Sequence, residues 1–575
     1  MTTLKRSDPC RKSPARLARP VSWLGLSLLA GLILAAPAIL FFDPLGLPGR
    51  GHITREPLAI YSLYSDDFAY VAASRNLSRA LANLFVPHNT HIVPAWRLLT
   101  WALVAWSGTL EKLPEVLAEA SYAILVAVML LTGRLVARET GRASLGLAAM
   151  VGVGVTSLMA SPACWYSAGQ TLWAGFGILA TLWYAQCWRR SRSIVALPMA
   201  AVWAMLAGWF WTIGHLAGPV AAVYLWLDGR RRCRWAAAVP LFATVAAVTL
   251  SLILGGSKID STVSFHGRTT REAARPISGI LHTAQAIPEN LILANLGLRA
   301  HTTELQGLVL TAMILGLWAS RRLRQGGWRA FNPLECTGVA LVLGAYLVEW
   351  TVRGYLPFQS LRTINLGMIV PWYDVIPQMG AVLFVVGWFS RPRLVERKAS
   401  VREPITPPSR LAAIGIIGLL LLMNVLNRPR VDLLWRNWVP ALLPIERQRE
   451  MFPILSLQTM RASVLLLDRA DWQRRHLRRL DQAQKVARRL GIGREAIHSA
   501  LGRLDMPLLP DVYDALGLLD LPEQGSVTNP DQVRRALEPF LFKEPEPRPF
   551  WLPPTEPWPP PDQPHWSESD VDTSE

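Results

Sequence analysis

The sequence predicts an all-α fold: a polytopic membrane helical bundle of about eleven spans, with outer-face interfacial helices and a small helical C-terminal domain. Three observations predict it. The 575 residues are 51% hydrophobic and only 17% charged, below the roughly 25% usual in soluble proteins. The apolar residues fall in long blocks of membrane-span length. The formal charge of +18 is unevenly spread: residues 428–575 sum to −2, so residues 1–427 carry +20. That excess sits in short loops between apolar blocks, the pattern of basic loops held in the cytoplasm. It argues against a nucleic-acid partner, which calls for a basic face or stripe. Cys10, Cys164, Cys187, Cys233 and Cys336 are scattered without CxxC spacing, which excludes a zinc ribbon and supports no disulfide framework.

The first apolar block, Val21–Phe42, follows a basic tail carrying Lys5, Arg6, Arg11, Lys12, Arg16 and Arg19. A signal peptide is the competing reading, helped by Ala35-Ala36-Pro37-Ala38. The apolar run of about 20 residues exceeds a usual signal core, which favours an uncleaved span with its N-terminus inside. Basic clusters then recur at Arg134/Arg138/Arg142, Arg189/Arg190/Arg192, Arg230/Arg231/Arg232/Arg234, Arg321/Arg322/Arg324 and Arg391/Arg393/Arg397/Lys398. If each lies inside, the chain crosses and returns between consecutive clusters. Residues 143–161 and 170–188 form one such pair, turning at Ser161–Gln170. The apolar stretch 194–227 has arginines at both ends and reads as two short spans turning near Trp211–His215. Spans near 235–254 and 305–320 flank one outer loop, spans near 335–352 and 372–390 flank another, and 411–427 carries the chain out. Residues 92–107 contain Pro94 and Arg97 and read as an interfacial helix with Trp96, Trp101 and Trp106 at headgroup depth. The odd span count places the N-terminus in and the C-terminus out. No internal repeat of the kind many transporters carry is visible.

The domain reading is therefore 1–20, a cytoplasmic basic tail; 21–427, the membrane domain of a multi-pass plasma (inner) membrane protein; 428–542, an external helical domain; and 543–575, a Pro-rich tail. Within the external domain, helical patterning runs through Arg461–Leu490. Asn529-Pro530 looks like an N-cap with Pro at the first helical position. The Pro-rich end reads as extended or disordered.

The chemistry concentrates in the outer loop 43–93. It holds Ser65-Asp66-Asp67-Phe68-Ala69-Tyr70, then an amphipathic helix to Phe85, then Pro87-His88-Asn89-Thr90-His91-Ile92-Val93-Pro94. Two readings of the acidic pair compete. Asp66 and Asp67, behind a Ser65 N-cap, complement a helix dipole. Alternatively, adjacent carboxylates near low dielectric push their pKa values apart, leaving one able to accept a proton as a general base. His88 and His91, three apart, suit one helical face. With Asp66 or Asp67 they form a candidate ligand set for a divalent metal; the competing reading has them bond loop backbone or contact a phosphate when protonated. No cofactor is otherwise assigned. Asn76-Leu77-Ser78 matches a glycosylation sequon too short to carry weight.

A first span, an outer loop with an acidic pair soon after it, a Tyr at Tyr70 and a Pro-bounded interfacial segment resemble the GT-C superfamily of polyprenyl-phosphate-dependent glycosyltransferases. The likeness is to the protein mannosyltransferase and aminoarabinose transferase branch over roughly residues 20–430. That branch carries Asp-Glu-x-x-Tyr in the first outer loop, matched here by Asp66-Asp67-Phe68-Ala69-Tyr70 with Asp for Glu. The branch's downstream Lys-Pro-Pro is replaced by His88-Asn89-Thr90-His91. The resemblance implies a transferase that takes a sugar from a polyprenyl phosphate carrier, with Asp66 activating the acceptor, Asp67 beside it, and Tyr70, His88, Asn89 and His91 lining the substrate site.

A donor phosphate needs outer cations, and forked arginines suit it. Arg268, Arg271 and Arg275 in the loop 255–303, and Arg353 and Arg362 in the loop 353–371, are the candidates, with contact to lipid headgroups as the alternative. Arg353 leads because it follows Glu349-Trp350 at a span end. Glu349 is costly there unless paired, with Arg353 for instance, or functional. His215, at the turn of the hairpin, is read as facing water. The expected partners are a polyprenyl-phosphate-linked sugar and membrane lipid; no oligomeric state is assigned. A transporter or flippase of a lipid-linked or anionic solute is the second reading, and a scaffold whose tail binds envelope partners the third.

Overall fold

The computed structural model describes residues 23–42, 66–88, 91–159, 162–163, 166–228, 231–255, 276–293, 303–325, 331–353, 371–390, 470–501 and 520–541. The basic N-terminal tail, the expected span 411–427, the Pro-rich end, and Asn89, Arg268, Arg271, Arg275 and Arg362 lie outside them, as do the side chains of Asp66 and Arg353. Among the described residues every regular element is helical; the β features are two isolated bridges, His88 with His91 and Ile492 with Val527. The all-α class holds.

Among the described residues two helices are long and apolar enough to cross a membrane, Leu113–Thr140 and Arg232–Gly255. The first ends at the Arg134/Arg138/Arg142 cluster, with Gly141 at φ +69° as its C-cap, a left-handed position that glycine takes without steric cost. The first block forms Trp23–Phe42. The stretch 194–227 folds as Ala196–Phe210 and Ala217–Trp226, separated by a 3-10 turn at Thr212–Leu216. Its helices of 15 and 10 residues reach only about 22 and 15 Å, short of the roughly 30 Å of hydrocarbon. Gln170–Ser191 runs through the middle of the bundle and packs on Leu113–Thr140, Ala196–Phe210, Ala217–Trp226 and Val375–Phe389. Small residues let helices close in. A Cβ on Gly338 would lie 2.5 Å from the carbonyl oxygen of Gly380 on the facing helix, so Pro333–Arg353 and Val375–Phe389 meet backbone to backbone.

Several elements differ from the sequence reading. The amphipathic helix to Phe85 is two pieces, Asp66–Ala73 and Leu77–Ala82, broken at Asn76. Asn76 adopts an extended conformation and its side chain accepts from the Arg79 amide at 2.9 Å. An Asn that caps a new helix interrupts the one before it. The stretch 255–303, expected as a loop, contains a helix, Pro276–Ala286, that runs into a π-helical segment, Ile287–Leu293, and packs against Glu304–Arg324 and Pro333–Arg353. Pro276 at its first position and Ile277, Ile280, Leu281 and Ala284 at helical spacing are its legible signals. Trp96 faces the protein interior and not the surface. It is fully buried and stacked on Tyr166, 4.3 Å between centroids, while Trp106 is exposed. The sequence places His215 facing water, yet its Nδ1 is buried, and a Cβ on Gly208 would run into its ring.

The basic clusters are not uniformly solvated. Arg189 is buried and paired with Glu139, which also accepts from Tyr224 Oη at 2.7 Å. Arg322 is buried and forked onto buried Glu335, with Nε at 2.9 and 3.1 Å from its two oxygens. Trp318 Nε1 donates to the same carboxylate at 3.0 Å, and Arg322 also donates to the carbonyl of Gly387 at 3.3 Å. One ion pair thus ties Glu304–Arg324, Pro333–Arg353 and Val375–Phe389.

The C-terminal part contributes Ala470–Leu490, Arg494–Leu501 and Pro530–Leu541. The expected cap is present: Asn529 Oδ1 accepts from the Asp531 amide at 3.0 Å. Ala470–Leu490 docks on the segment at Arg75 and on the turn before Leu113. Leu110 N donates to Asp481 Oδ2 at 2.6 Å, Arg478 pairs with Glu111, and Arg75 Nη2 donates to Gln484 Oε1 at 3.1 Å. Burial pushes the Arg75 pKa down to about 10 against the opposing pull of Asp520 and Asp481.

Candidate functional site

The segment from Asp67 to Val93 and two turns later in the chain build one buried polar cluster. Asp67 enters the first turn of Asp66–Ala73, a helix that buries Tyr70 and Val71. The Asp67 carboxylate is 1% exposed, and its Oδ1 accepts from the backbone N–H of Ser167 at 2.8 Å and from the Ser167 hydroxyl. Charge-assisted bonds of this kind are stronger than neutral ones. Asp67 therefore fastens the acidic helix to the turn between Ala143–Gly154 and Gln170–Ser191. Beside it, Tyr166 shares a 2.8 Å hydrogen bond with Thr100 Oγ1. Burial, with a smaller contribution from Asp67, raises the Tyr166 phenol well above its ordinary pKa and keeps it neutral.

His88 and His91 do not share a helical face. They pair across an antiparallel bridge, His88 N to His91 O at 2.8 Å and His91 N to His88 O at 2.9 Å. Pro87 and Pro94 flank the segment and hold the residues before them away from helix; Val93 is indeed non-helical at φ −129° and ψ 61°. The His88 ring lies 4.3 Å from that of Tyr70. His91 Nδ1 is 2.7 Å from Thr212 Oγ1, which joins the loop to the turn of the 196–226 hairpin. Among the described residues no three His, Cys, Asp or Glu side chains gather as metal ligands.

The structure thus brings Asp67, Tyr70, His88 and His91 into one neighbourhood, with the backbone of Asp66 adjacent to Asp67. Arg353 ends the helix Pro333–Arg353. Sequence reasoning missed Ser167, Tyr166, Thr100, Thr212 and the role of Arg97. Arg97 is 3% exposed and donates from Nη2 to the Val86 carbonyl at 3.0 Å. Its guanidinium lies 5.9 Å from the centre of the Tyr70 ring, within cation–π range. Burial lowers its pKa, opposed by Tyr70. The available signal was an Arg four residues after the His91-Ile92-Val93 run, on the face of the helix that also carries Trp96 and Thr100.

No family model matches the chain, and no curated protein matches its sequence.

Proposed function

We propose that the chain is an integral-membrane glycosyltransferase that moves a sugar from a polyprenyl phosphate carrier to an acceptor hydroxyl on the outer face. Asp66 is the general base. The observation that carries this reading is the bond between Asp67 and Ser167, which buries the Asp67 carboxylate and fixes the start of the acidic helix. A pair whose second member is committed to structure leaves the first for chemistry. Asp66 takes the proton of the acceptor hydroxyl as its oxygen bonds to the anomeric carbon. The bond from that carbon to the phosphate oxygen breaks, with inversion, and the electron pair leaves on the carrier phosphate. Arg353 and Arg362 stabilise the charge that develops there, and Tyr70, His88, Asn89 and His91 line the site. An in vitro assay against a panel of polyprenyl-phosphate-linked sugars tests the reaction.

The topology proposed with it is the N-terminus in, about eleven passes and the C-terminus out. A 196–226 hairpin that dips in and returns leaves that parity unchanged. Docking of Ala470–Leu490 on the loop at Arg75 and the turn at Glu111 supports a tail on the same side as the acidic pair. Reporter fusions after Arg232 and Arg393 are expected to read cytoplasm, and those after Gly255 and in the tail the external side. A cytoplasmic tail would remove Asp66 from the outer face. One observation favours the alternative of transport: Glu349 is buried with neither carboxylate oxygen hydrogen-bonded among the described residues, and intramembrane charge often marks a path.

A further inference from the structure

We propose that Glu349, Asp374 and Asn290 form a binding site for a hard divalent cation. Three elements converge there. Tyr346 and Glu349 lie one turn apart on Pro333–Arg353, and Asp374 ends the 3-10 turn Pro371–Asp374. Asn290 lies in the π-helical Ile287–Leu293, a geometry that recurs at functional sites. Asp374 Oδ1 accepts from Tyr346 Oη at 2.7 Å and from Asn290 Nδ2 at 3.0 Å. Glu349, three residues on from Tyr346, lies on the same face of that helix.

The acceptor count does not balance. Glu349 is 2% exposed and Asn290 5%, yet Glu349 Oε1, Glu349 Oε2 and Asn290 Oδ1 have no hydrogen-bond donor among the described residues. No Lys or Arg there forms an ion pair with Glu349 or Asp374. Buried acceptors and buried charge are costly when left unpaired. Oxygen-only ligands with two carboxylates suit Mg²⁺, Mn²⁺ or Ca²⁺ rather than zinc. Two negative charges match a divalent ion, and the close burial of Tyr346, Glu349 and Asp374 favours a compact inorganic ion over an organic ammonium group. Tyr373, next to Asp374, lies 5.6 Å from Trp211 between ring centres, and Trp211 lies 6.1 Å from His91. The site is thus a neighbour of the loop cluster and distinct from the His88–His91 pair. It does not rest on the transferase reading.

The test is Mn²⁺ binding to the purified full-length protein, followed by paramagnetic resonance with Mg²⁺ and Ca²⁺ as competitors. One Mn²⁺ per chain is expected. Glu349→Gln and Asp374→Asn should each weaken binding at least tenfold, while the His88→Ala/His91→Ala pair retains it. Thermal unfolding without metal separates misfolding from loss of ligand: Glu349→Gln should match or exceed the wild type and lose the stabilisation that Mn²⁺ gives the wild type. No Mn²⁺ binding by folded wild-type protein, or binding unchanged in both carboxylate variants, overturns the proposal. So does binding lost only with the histidines.

Discussion

Asp66→Asn should reach the membrane at wild-type levels and lose sugar transfer by about 10²-fold or more, the scale of a lost general base. Asparagine keeps the size of the side chain and an oxygen able to cap, so a residue that served only the helix dipole would show little change. Asp67 should behave differently, because its work is visible. Asp67→Asn retains an oxygen to accept the Ser167 N–H but gives up the charge, and its loss should appear in stability as well as rate. Asp67→Ala leaves the buried Ser167 donors without that carboxylate, a cost of about 1–3 kcal/mol, and frees the start of Asp66–Ala73. Transfer assays beside thermal unfolding separate the two residues. Full activity in Asp66→Asn with none in folded Asp67→Asn would reverse their roles.

The second large effect is on stability. Glu335→Ala strands Arg322 in the interior, and breaking a buried pair by removing one partner costs about 3–5 kcal/mol. The Trp318 indole loses its acceptor as well, and Arg322 is left with its bond to the Gly387 carbonyl to tie the helices at this point. A marked fall in unfolding temperature and in folded yield from detergent is expected. Replacing both partners with apolar residues, Arg322→Met with Glu335→Leu, should recover much of the loss, because the pair's desolvation cost goes with it. If Glu335→Ala unfolds with the wild type, Arg322 is not held by this carboxylate.

Periodicity carried the helical class and the places of several helices. The hairpin turn near Trp211–His215, the helix over 94–107 and the Asn529 cap were legible because local chemistry determines them: an N-cap, a proline, a run of apolar residues between arginines. The break at Asn76 was legible too, in a residue that was read only as part of a sequon. What the sequence hid was long-range pairing. Nothing in Asp67 points to Ser167, one hundred residues on, and nothing in Arg322 separates it from Arg321 and Arg324. Burial is decided by which helix packs opposite. The histidines misled because i, i+3 spacing implies a shared face only on a helix, and two flanking prolines prevent one. Trp96 misled in the same way: its stacking partner, Tyr166, lies in another loop.

The most direct test of the proposed chemistry is transfer of a labelled sugar from a polyprenyl phosphate carrier by the purified full-length protein, measured beside Asp66→Asn. Transfer to an acceptor hydroxyl from at least one donor in the panel is expected of the wild type, with the variant lower by about 10²-fold. Equal transfer by the two proteins, or none from any donor by folded wild-type protein, contradicts it.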